Sequence, residues 1–391
     1  MARRRHVSIC KEGWYYIAVL VFITAGAMIR DINLLFMLAG MMLGPHVLSV
    51  LLIHTTLRKV TFLRKFPRVV GAGDLLVVDV IGQNDARLGG SWALVVDDQI
   101  QKITLPEADD ATARLLLAHI PPRGTANAFY RVRLRDRGRY RLGPITVSTR
   151  VPMGLMQARQ QFDICDEVLV CPQLGRMLPG WKRRLQLSRE GGLRSQQRQG
   201  RSEGDYFAMR NWRTGDSRRW IHWRTSAKRN QLAVKQFEQT ANQDLAVFVD
   251  LALGSVPRGQ EHWIEKAISL SATIIAEECR QGSSRLVFGA AGQTTRCLRG
   301  ASSLVFQQEV MEHLAVVQPN RRETLTELLA EALPQIPRES RIVIITTRPL
   351  DLRQISQAPA LAGNLRIQRL LTSAGCIDVH DPGLAQLFEM D

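Results

Sequence analysis

The residues best equipped for chemistry or recognition crowd into one stretch, Glu203 to Glu238, reading EGDYFAMRNWRTGDSRRWIHWRTSAKRNQLAVKQFE. Trp212, Trp220 and Trp223 are set there among Arg210, Arg213, Arg218, Arg219, Arg224, Lys228 and Arg229, and Asp205 and Asp216 each follow a glycine. Arginine beside indole supports cation–π contact, and the same pairing suits stacking on single-stranded nucleic acid. Asp216 and His222 carry the groups of an acid–base pair, but their spacing does not make them neighbours on one helical face. Asp216 reads instead as the N-cap of a short helix running to about Lys228, followed by a strand from Gln231 to Phe237. The expected use of the tryptophans is packing, with Trp223 buried.

Other chemistry is sparse. Cys10, Cys165, Cys171, Cys279, Cys297 and Cys376 form no C-x-x-C and no zinc-like cluster with histidine, so they read as reduced thiols. No phosphate-binding G-x-x-x-x-G-K-[ST], dinucleotide-binding G-x-G-x-x-G, zinc-binding H-E-x-x-H or nucleophile-elbow G-x-S-x-G is present. The chain therefore reads as non-enzymatic and without a cofactor.

The elements that must position these residues fall into three regions: 1–55, 56–180 and 181–391. In the first, Lys11 and the basic Arg3, Arg4 and Arg5 precede an uncharged run from Trp14 to Ile29. Arg30-Asp31 separates it from a second uncharged run, Ile32 to Ile53, which Arg58, Lys59, Arg64 and Lys65 follow. The second run meets the roughly 20 residues of a membrane span and the first is near the short limit of about 17. A transmembrane helical hairpin is expected, and basic residues on both outer flanks place both termini and the soluble domains in the cytoplasm of a cell (inner) membrane protein. A cleaved signal peptide is the alternative reading of the first run, since Ala25-Gly26-Ala27 is small enough for a cleavage site.

In the second region Leu75–Ile81, Trp92–Val96 and Phe129–Arg135 are rich in β-branched and aromatic residues, and Tyr130, Val132 and Leu134 alternate with Arg131, Arg133 and Arg135. This predicts a small antiparallel β sandwich or barrel with a hairpin turn at Asp136-Arg137-Gly138 and a return strand over Tyr140–Val147. The arginine row reads as a solvated face shielded by Asp97 and Asp98, or else as a surface for anionic headgroups or an acidic partner. Residues 177–202 read as a long loop. Beyond the Trp-rich stretch, strands at Leu245–Val249, Arg285–Gly289, Arg341–Thr347 and Leu365–Leu371 alternate with helices at Trp263–Cys279 and Arg321–Leu333, which predicts a mostly parallel sheet covered on both faces.

Charge is unevenly spread along the chain. The total of +16 divides as +7 for residues 1–65, +2 for 66–180, +10 for 181–243 and −3 for 244–391. A diffuse nucleic-acid-binding surface would not split this way.

Gly204, Asp205, Arg210, Trp212, Gly215, Asp216, Arg218, Arg219, Ile221, Trp223, Ser226, Ala227, Lys228, Leu232, Val234 and Glu238 together resemble the pattern of the domain of unknown function 58 family. Arg137-Gly138, Tyr140, Leu142-Gly143-Pro144, Pro152, Gly154 and Leu155 resemble an earlier segment of the same family. The resemblance implies a membrane protein whose C-terminal α/β domain is von Willebrand factor A-like. Domains of that type hold a metal with D-x-S-x-S after the first strand, plus a threonine and an aspartate from later loops. Here the counterpart is Asp250-Leu251-Ala252-Leu253-Gly254-Ser255, and Thr346-Thr347-Arg348 stands where an aspartate is wanted. The site reads as degenerate and metal-free, with Asp250 and Ser255 left over and Arg348 offered for the cation's place. The resemblance further implies a protein partner, a MoxR-type AAA+ ATPase, with a transglutaminase-like membrane protein as a further associate. The competing class is a module binding nucleic acid or an anionic membrane surface through the +10 segment.

Overall fold

The computed structural model describes residues 5–57, 59–87, 89–104, 111–181, 199–200, 206–213, 218–238, 244–253, 261–282, 285–320, 322, 324–336, 340–348, 350–358, 361, 368, 371, 374–381, 383–384 and 387–390. The chain divides into two compact units, residues 1–173 with 311–316, and residues 174–310 with 317–391. The break near residue 173 precedes the expected one at 180, because Arg176–Met177 pairs with Phe388–Glu389 at the far end of the second unit.

The first unit begins with strand β1 (Arg5–Ile9), then helices α1 (Lys11–Arg30) and α2 (Asn33–Thr56). Asp31, in the left-handed region at φ 49°, closes the turn between the helices, and Tyr16 Oη donates to the Met42 carbonyl at 2.7 Å across the pair. Both helices are long and apolar enough to cross a membrane, with mean hydropathies of 1.5 and 2.0. Their side chains mostly face outward, Phe22 to 81%. An apolar surface so large in water is unfavourable at roughly 25 cal/mol per Å².

The strands that follow are β2 (Val60–Lys65), β3 (Val69–Gly71), β4 (Leu75–Asn84), β5 (Ser91–Lys102), β6 (Ala111–Ile120), β7 (Thr125–Arg133), β8 (Gly138–Thr149), β9 (Met156–Phe162) and β10 (Asp166–Cys171). They make a seven-stranded sheet running β1-β9-β8-β10-β3 with β5 and β6 joined through β8, and a three-stranded sheet β2-β4-β7. Alternate residues of both sheets share one core, including Leu76, Val78, Val80, Leu94, Val96, Leu142, Ile145 and Val147. The pairing is antiparallel except between β10 and β3. The expected hairpin between Phe129–Arg135 and Tyr140–Val147 does not form. β7 pairs with β4 and β8 pairs with β5, β9 and β10, so Asp136-Arg137-Gly138 carries the chain from one sheet to the other. Period-two alternation places a strand's faces but does not choose its neighbour.

One buried ion cluster ties this unit together. Arg64, on β2, donates from Nε and Nη2 to Asp98 Oδ2 and Oδ1 at 2.8 and 2.6 Å, and from Nη1 to Asp166 Oδ2 at 2.8 Å. The same Nη1 reaches the carbonyls of Leu142 and Ile164 at 3.1 and 3.2 Å, and Tyr130 Oη donates to Asp98 Oδ2 at 2.8 Å. A side chain at Gly143, φ 109°, would collide with the Ile164 carbonyl and lie 2.9 Å from Arg64 Nη2, so glycine is required beside the guanidinium. Asp98 is thus not a shield for the arginine row, and Asp97 pairs with Arg114 at 2.6 Å. Arg131 and Arg133 lie on the outer face of one sheet, Arg139 and Arg141 on a strand of the other, and Arg131 covers the Phe129 ring at 5.2 Å.

The second unit contains β11 (Arg176–Met177), β12 (Gln199–Gly200), β13 (Tyr206–Asn211), α3 (Trp223–Arg229), β14 (Ala233–Glu238), β15 (Leu245–Asp250), α4 (Glu261–Gln281), β16 (Arg285–Ala291), β17 (Arg296–Ala301), the first part of α5 (Leu304–Val316), α6 (Leu325–Ala332), β18 (Arg341–Thr346), α7 (Leu352–Gln357), β19 (Gly375–Asp378) and β20 (Phe388–Glu389). Its main sheet runs β17-β16-β15-β18-β19, parallel except for β17. Every residue of β15 is buried, as a central strand covered on both faces requires. Ala246 and Phe248 pack with Leu325, Leu328 and Leu329 of α6, while α4 runs against β15 and β18. Of Leu365–Leu371, read as a strand, only Gln368 and Leu371 are described, and both are helical; the last parallel strand is β19. A short apolar run carries too little periodicity to separate the two states.

Arg64→Ala would leave the buried Asp98 carboxylate without its counter-charge, an expected loss of about 3–5 kcal/mol. It should appear as a lower denaturation midpoint of the detergent-solubilised protein, largely recovered by Arg64→Met with Asp98→Leu. Alkali tests the buried tyrosines of the same unit, Tyr130 in this cluster and Tyr140 beside Asp136. Burial and then Asp98 raise the Tyr130 hydroxyl well above its ordinary value, and burial and then Asp136 push Tyr140 up to about 12 from 10.0. A raised folded-state value means the stabilisation is complete below pH 10.0 and is lost as pH climbs towards 12. The midpoint should fall over that window, and Tyr140→Phe should make the fall shallower.

Candidate functional site

Two clusters of polar side chains stand out in the second unit. The first is the Trp- and Arg-rich stretch, which forms a three-stranded antiparallel sheet, β12-β14-β13, with α3 inserted before β14. Ser226 locks the insertion: its Oγ donates to the His222 carbonyl at 3.0 Å and accepts from Ala233 N at 2.9 Å. The Ile221–Val234 bridge and His222 N donating to the Ala233 carbonyl at 2.9 Å continue the seam. The helix is capped by His222, whose Nδ1 accepts from Thr225 N at 3.3 Å, and it closes at Asn230 in the left-handed region. Asp216, the expected cap, lies outside the described residues, as do Asp205, Gly215, Gly254 and Ser255.

The tryptophans do not act as one core. Trp223 is 67% exposed, contrary to expectation, because α3 turns Ser226 inward and leaves Trp223, Arg224 and Lys228 on its outer surface. Trp212 is half-buried and its backbone N donates to the Leu232 carbonyl at 2.7 Å; Trp220 is half-buried in the 3-10 turn Arg218–Trp220. Arg218 is exposed, Arg219 lies in the same turn, and Arg210 is half-buried with Nη1 donating to the Asn211 carbonyl at 3.1 Å.

The second cluster sits at the carboxyl ends of β15, β18 and β19, where open α/β sheets place their ligand sites. Register puts Asp250 beside Thr346 and Thr346 beside Asp378. Asp250 is fully buried. Its Oδ1 accepts from Ala252 N at 3.2 Å and its Oδ2 from Arg348 Nε at 3.0 Å. Thr346 Oγ1 donates to the Arg348 carbonyl at 2.8 Å and accepts from Arg348 N at 3.1 Å, which fixes the turn that aims the guanidinium. Thr347, also buried, donates from Oγ1 to the Ala252 carbonyl at 3.4 Å, joining the two loops.

Around this carboxylate stands a group that the sequence reading missed. His380 Nε2 lies 2.9 Å from the Thr347 carbonyl, its backbone N donates to Asp378 Oδ1 at 2.9 Å, and its ring lies 4.4 Å from that of Trp263 on α4. Lys266 Nζ lies over the same indole, 5.2 Å from its centroid. His380 stands 117 positions after Trp263 in the sequence, and only the folded sheet brings the two together. Among the described residues, those present do not fit the divalent site of a D-x-S-x-S sheet edge. Ala252 supplies only a backbone amide and carbonyl, and an arginine nitrogen takes the Asp250 oxygen that a cation would bind.

Residues 208–383 match the family model described as protein of unknown function DUF58. The chain is 21% identical over 289 residues to the uncharacterized protein YeaD of Bacillus subtilis (strain 168), covering 73% of this chain and 70% of that one. Among solved structures, β-glucosidase from Listeria innocua in complex with glucose aligns at a TM-score of 0.22 and 15% identity, over 29% of this chain and 16% of that one. The CARDB domain of the PF1109 protein from Pyrococcus furiosus aligns at a TM-score of 0.18 and 18% identity, over 29% of this chain and 92% of that one. Likenesses at this level carry no functional inference.

Stability should separate the two clusters. Trp223→Ala is expected to change unfolding free energy by no more than about 0.5 kcal/mol, as surface substitutions do. Arg348→Ala, which strands the Asp250 carboxylate, should cost roughly 2–4 kcal/mol, with its partial exposure taking the loss towards the lower end. Thermal melts of the solubilised protein decide between them; equal losses would contradict these assignments.

Proposed function

Because the chain belongs to the DUF58 family through residues 208–383, we propose that it is a membrane-anchored, non-enzymatic adaptor whose von Willebrand factor A-like α/β domain engages a protein partner. The observation that carries this reading is the closed carboxylate: Asp250 Oδ2 is taken by Arg348 at 3.0 Å, at the strand ends where such a sheet binds its ligands. Recognition without a bridging metal relies on surface shape and charge. The exposed Arg218, Arg224 and Lys228 supply positive charge, and steering by such charges acts chiefly on association rate and salt sensitivity.

The anchor is the α1–α2 hairpin. Exposed Lys11, Lys59 and Lys65 flank it, so the positive-inside rule places both ends and the two units in the cytoplasm. Arg64, counted with that flank in the sequence, is neutralised inside the β core and contributes nothing to it. The partner class follows the family resemblance: a MoxR-type AAA+ ATPase held at the membrane face, with a transglutaminase-like membrane protein as a further associate. One observation favours a second reading, binding of an anionic polymer or surface, because Trp223 and Arg224 stand together exposed on α3.

Co-purification tests both. The wild-type protein should retain the cognate ATPase in a nucleotide-dependent manner, and Arg218→Glu with Arg219→Glu should weaken retention at least tenfold. Retention that is absent in the wild type removes the adaptor reading. Binding of single-stranded DNA that falls steeply with added salt and is lost in Trp223→Ala would establish the second reading in its place.

A further inference from the structure

The base of the apolar hairpin is held at both ends by contacts with the strands and loops of the first unit. At the end of α2, Ile53 and Leu57 are buried in the β core, and the Thr56 carbonyl accepts from Ser91 Oγ at 2.7 Å. The next residue, Trp92, is 53% exposed and stacks on His119 with ring centroids 3.8 Å apart. Its carbonyl accepts from Thr149 Oγ1 at 3.0 Å, which leads into the loop carrying Met153, also 53% exposed. That loop ends at Leu155, whose carbonyl accepts from Cys10 N at 2.9 Å, immediately before α1. A side chain at Gly13, in the first turn of α1, would collide with the Leu155 carbonyl and with Ile9, so the helix is seated directly on the loop.

The same rim is basic. Asp85 N donates to the Lys59 carbonyl at 2.9 Å and Arg123 N to the Ala86 carbonyl at 3.1 Å, which brings Lys59, Arg87 and Arg123 to one corner, all exposed. Arg150 stands on the Met153 loop and Lys11 opens α1, both exposed.

We propose that this collar is a second membrane contact: Trp92 and Met153 enter the headgroup layer of an anionic bilayer while Lys59, Arg87 and Arg123 pair with lipid phosphates. The proposal rests on the hairpin crossing the membrane, as read above. Its occupant is fixed by continuity. A unit whose core takes in Ile53 and Leu57 cannot stand off from the surface that α2 leaves, and whatever meets Trp92 lies within a residue of the Ser91–Thr56 contact. Tryptophan with basic neighbours is the composition that membrane interfaces select, and each basic side chain near an anionic surface adds favourable electrostatics. The β unit is then seated on the bilayer rather than hung from it.

Full-length protein in nanodiscs of phosphatidylcholine, with or without phosphatidylglycerol, tests this with lipids brominated high on the acyl chain. The Trp92 emission, taken as wild type minus Trp92→Phe, should lose at least half its intensity in the anionic discs. Lys59→Glu with Arg87→Glu and Arg123→Glu should reduce that loss to its value in phosphatidylcholine alone. A fluorophore on Met153→Cys, with Cys165 and Cys376 changed to serine, should be quenched in parallel. The Trp14 emission, from Trp14→Phe, reports the hairpin separately. Quenching of Trp14 without Trp92 or Met153 overturns the collar and leaves the spans standing; quenching of none overturns both. Equal Trp92 quenching in the two lipids removes the role given to the basic corner.

Discussion

Both ends of the apolar hairpin are built into a single β unit, and the arrangement of the first unit follows from that constraint. β1 pairs with β9 along five residues before α1 begins, and α2 ends with Ile53 and Leu57 inside the β core. A hairpin held at both ends by one β unit must enter and leave on the same face of whatever it inserts into. The constraint also bears on the reading of the first apolar run as a cleaved signal peptide. Cleavage after Ala27 would remove β1, and with it the five-residue pairing to β9, from the remaining chain.

Two buried acid–arginine pairs divide the polar work inside the units. In the first, Arg64 joins β2 to Asp98 on β5 and to Asp166 on β10, so one side chain links both sheets directly after the hairpin. Such a cluster adds little net stability over an apolar equivalent, but it penalises every arrangement that leaves one of its members unpaired. In the second, Arg348 closes Asp250 at the edge of the parallel sheet. The desolvation of a carboxylate that another sheet edge would assign to a metal is here offset by an internal cation, beside which Thr347, His380 and Trp263 contact one another.

How much of this was legible in the sequence depended on whether the signal was local. The two uncharged runs, the strands Leu75–Ile81, Leu245–Val249 and Arg341–Thr347, and the helix Trp263–Cys279 all correspond to observed elements, because composition and period act within the element itself. The strand after Gln231 was legible for the same reason. What escaped were choices of partner. Alternation in Tyr130, Val132 and Leu134 gave β7 its faces but not β4 as its neighbour. Asp98 looks like any surface acid until Arg64, 34 positions earlier, is brought to it. Trp223 carries the composition of a core residue, yet Ser226 is the side chain that α3 turns inward, since a hydroxyl can serve both the His222 carbonyl and the Ala233 amide. At the candidate site Asp250 and Arg348 were nameable from the sheet-edge pattern, whereas His380 was not, because no spacing in the sequence ties it to Trp263.

The most direct test of this account is the sidedness of three single cysteines, Ser8→Cys, Asp31→Cys and Lys65→Cys, introduced with the native cysteines changed to serine. Sealed vesicles of one orientation are treated with a membrane-impermeant thiol reagent, before and after permeabilisation. The account predicts that Ser8→Cys and Lys65→Cys label together on one face and Asp31→Cys on the other. Ser8→Cys and Lys65→Cys on opposite faces, or all three on the same face, would contradict it.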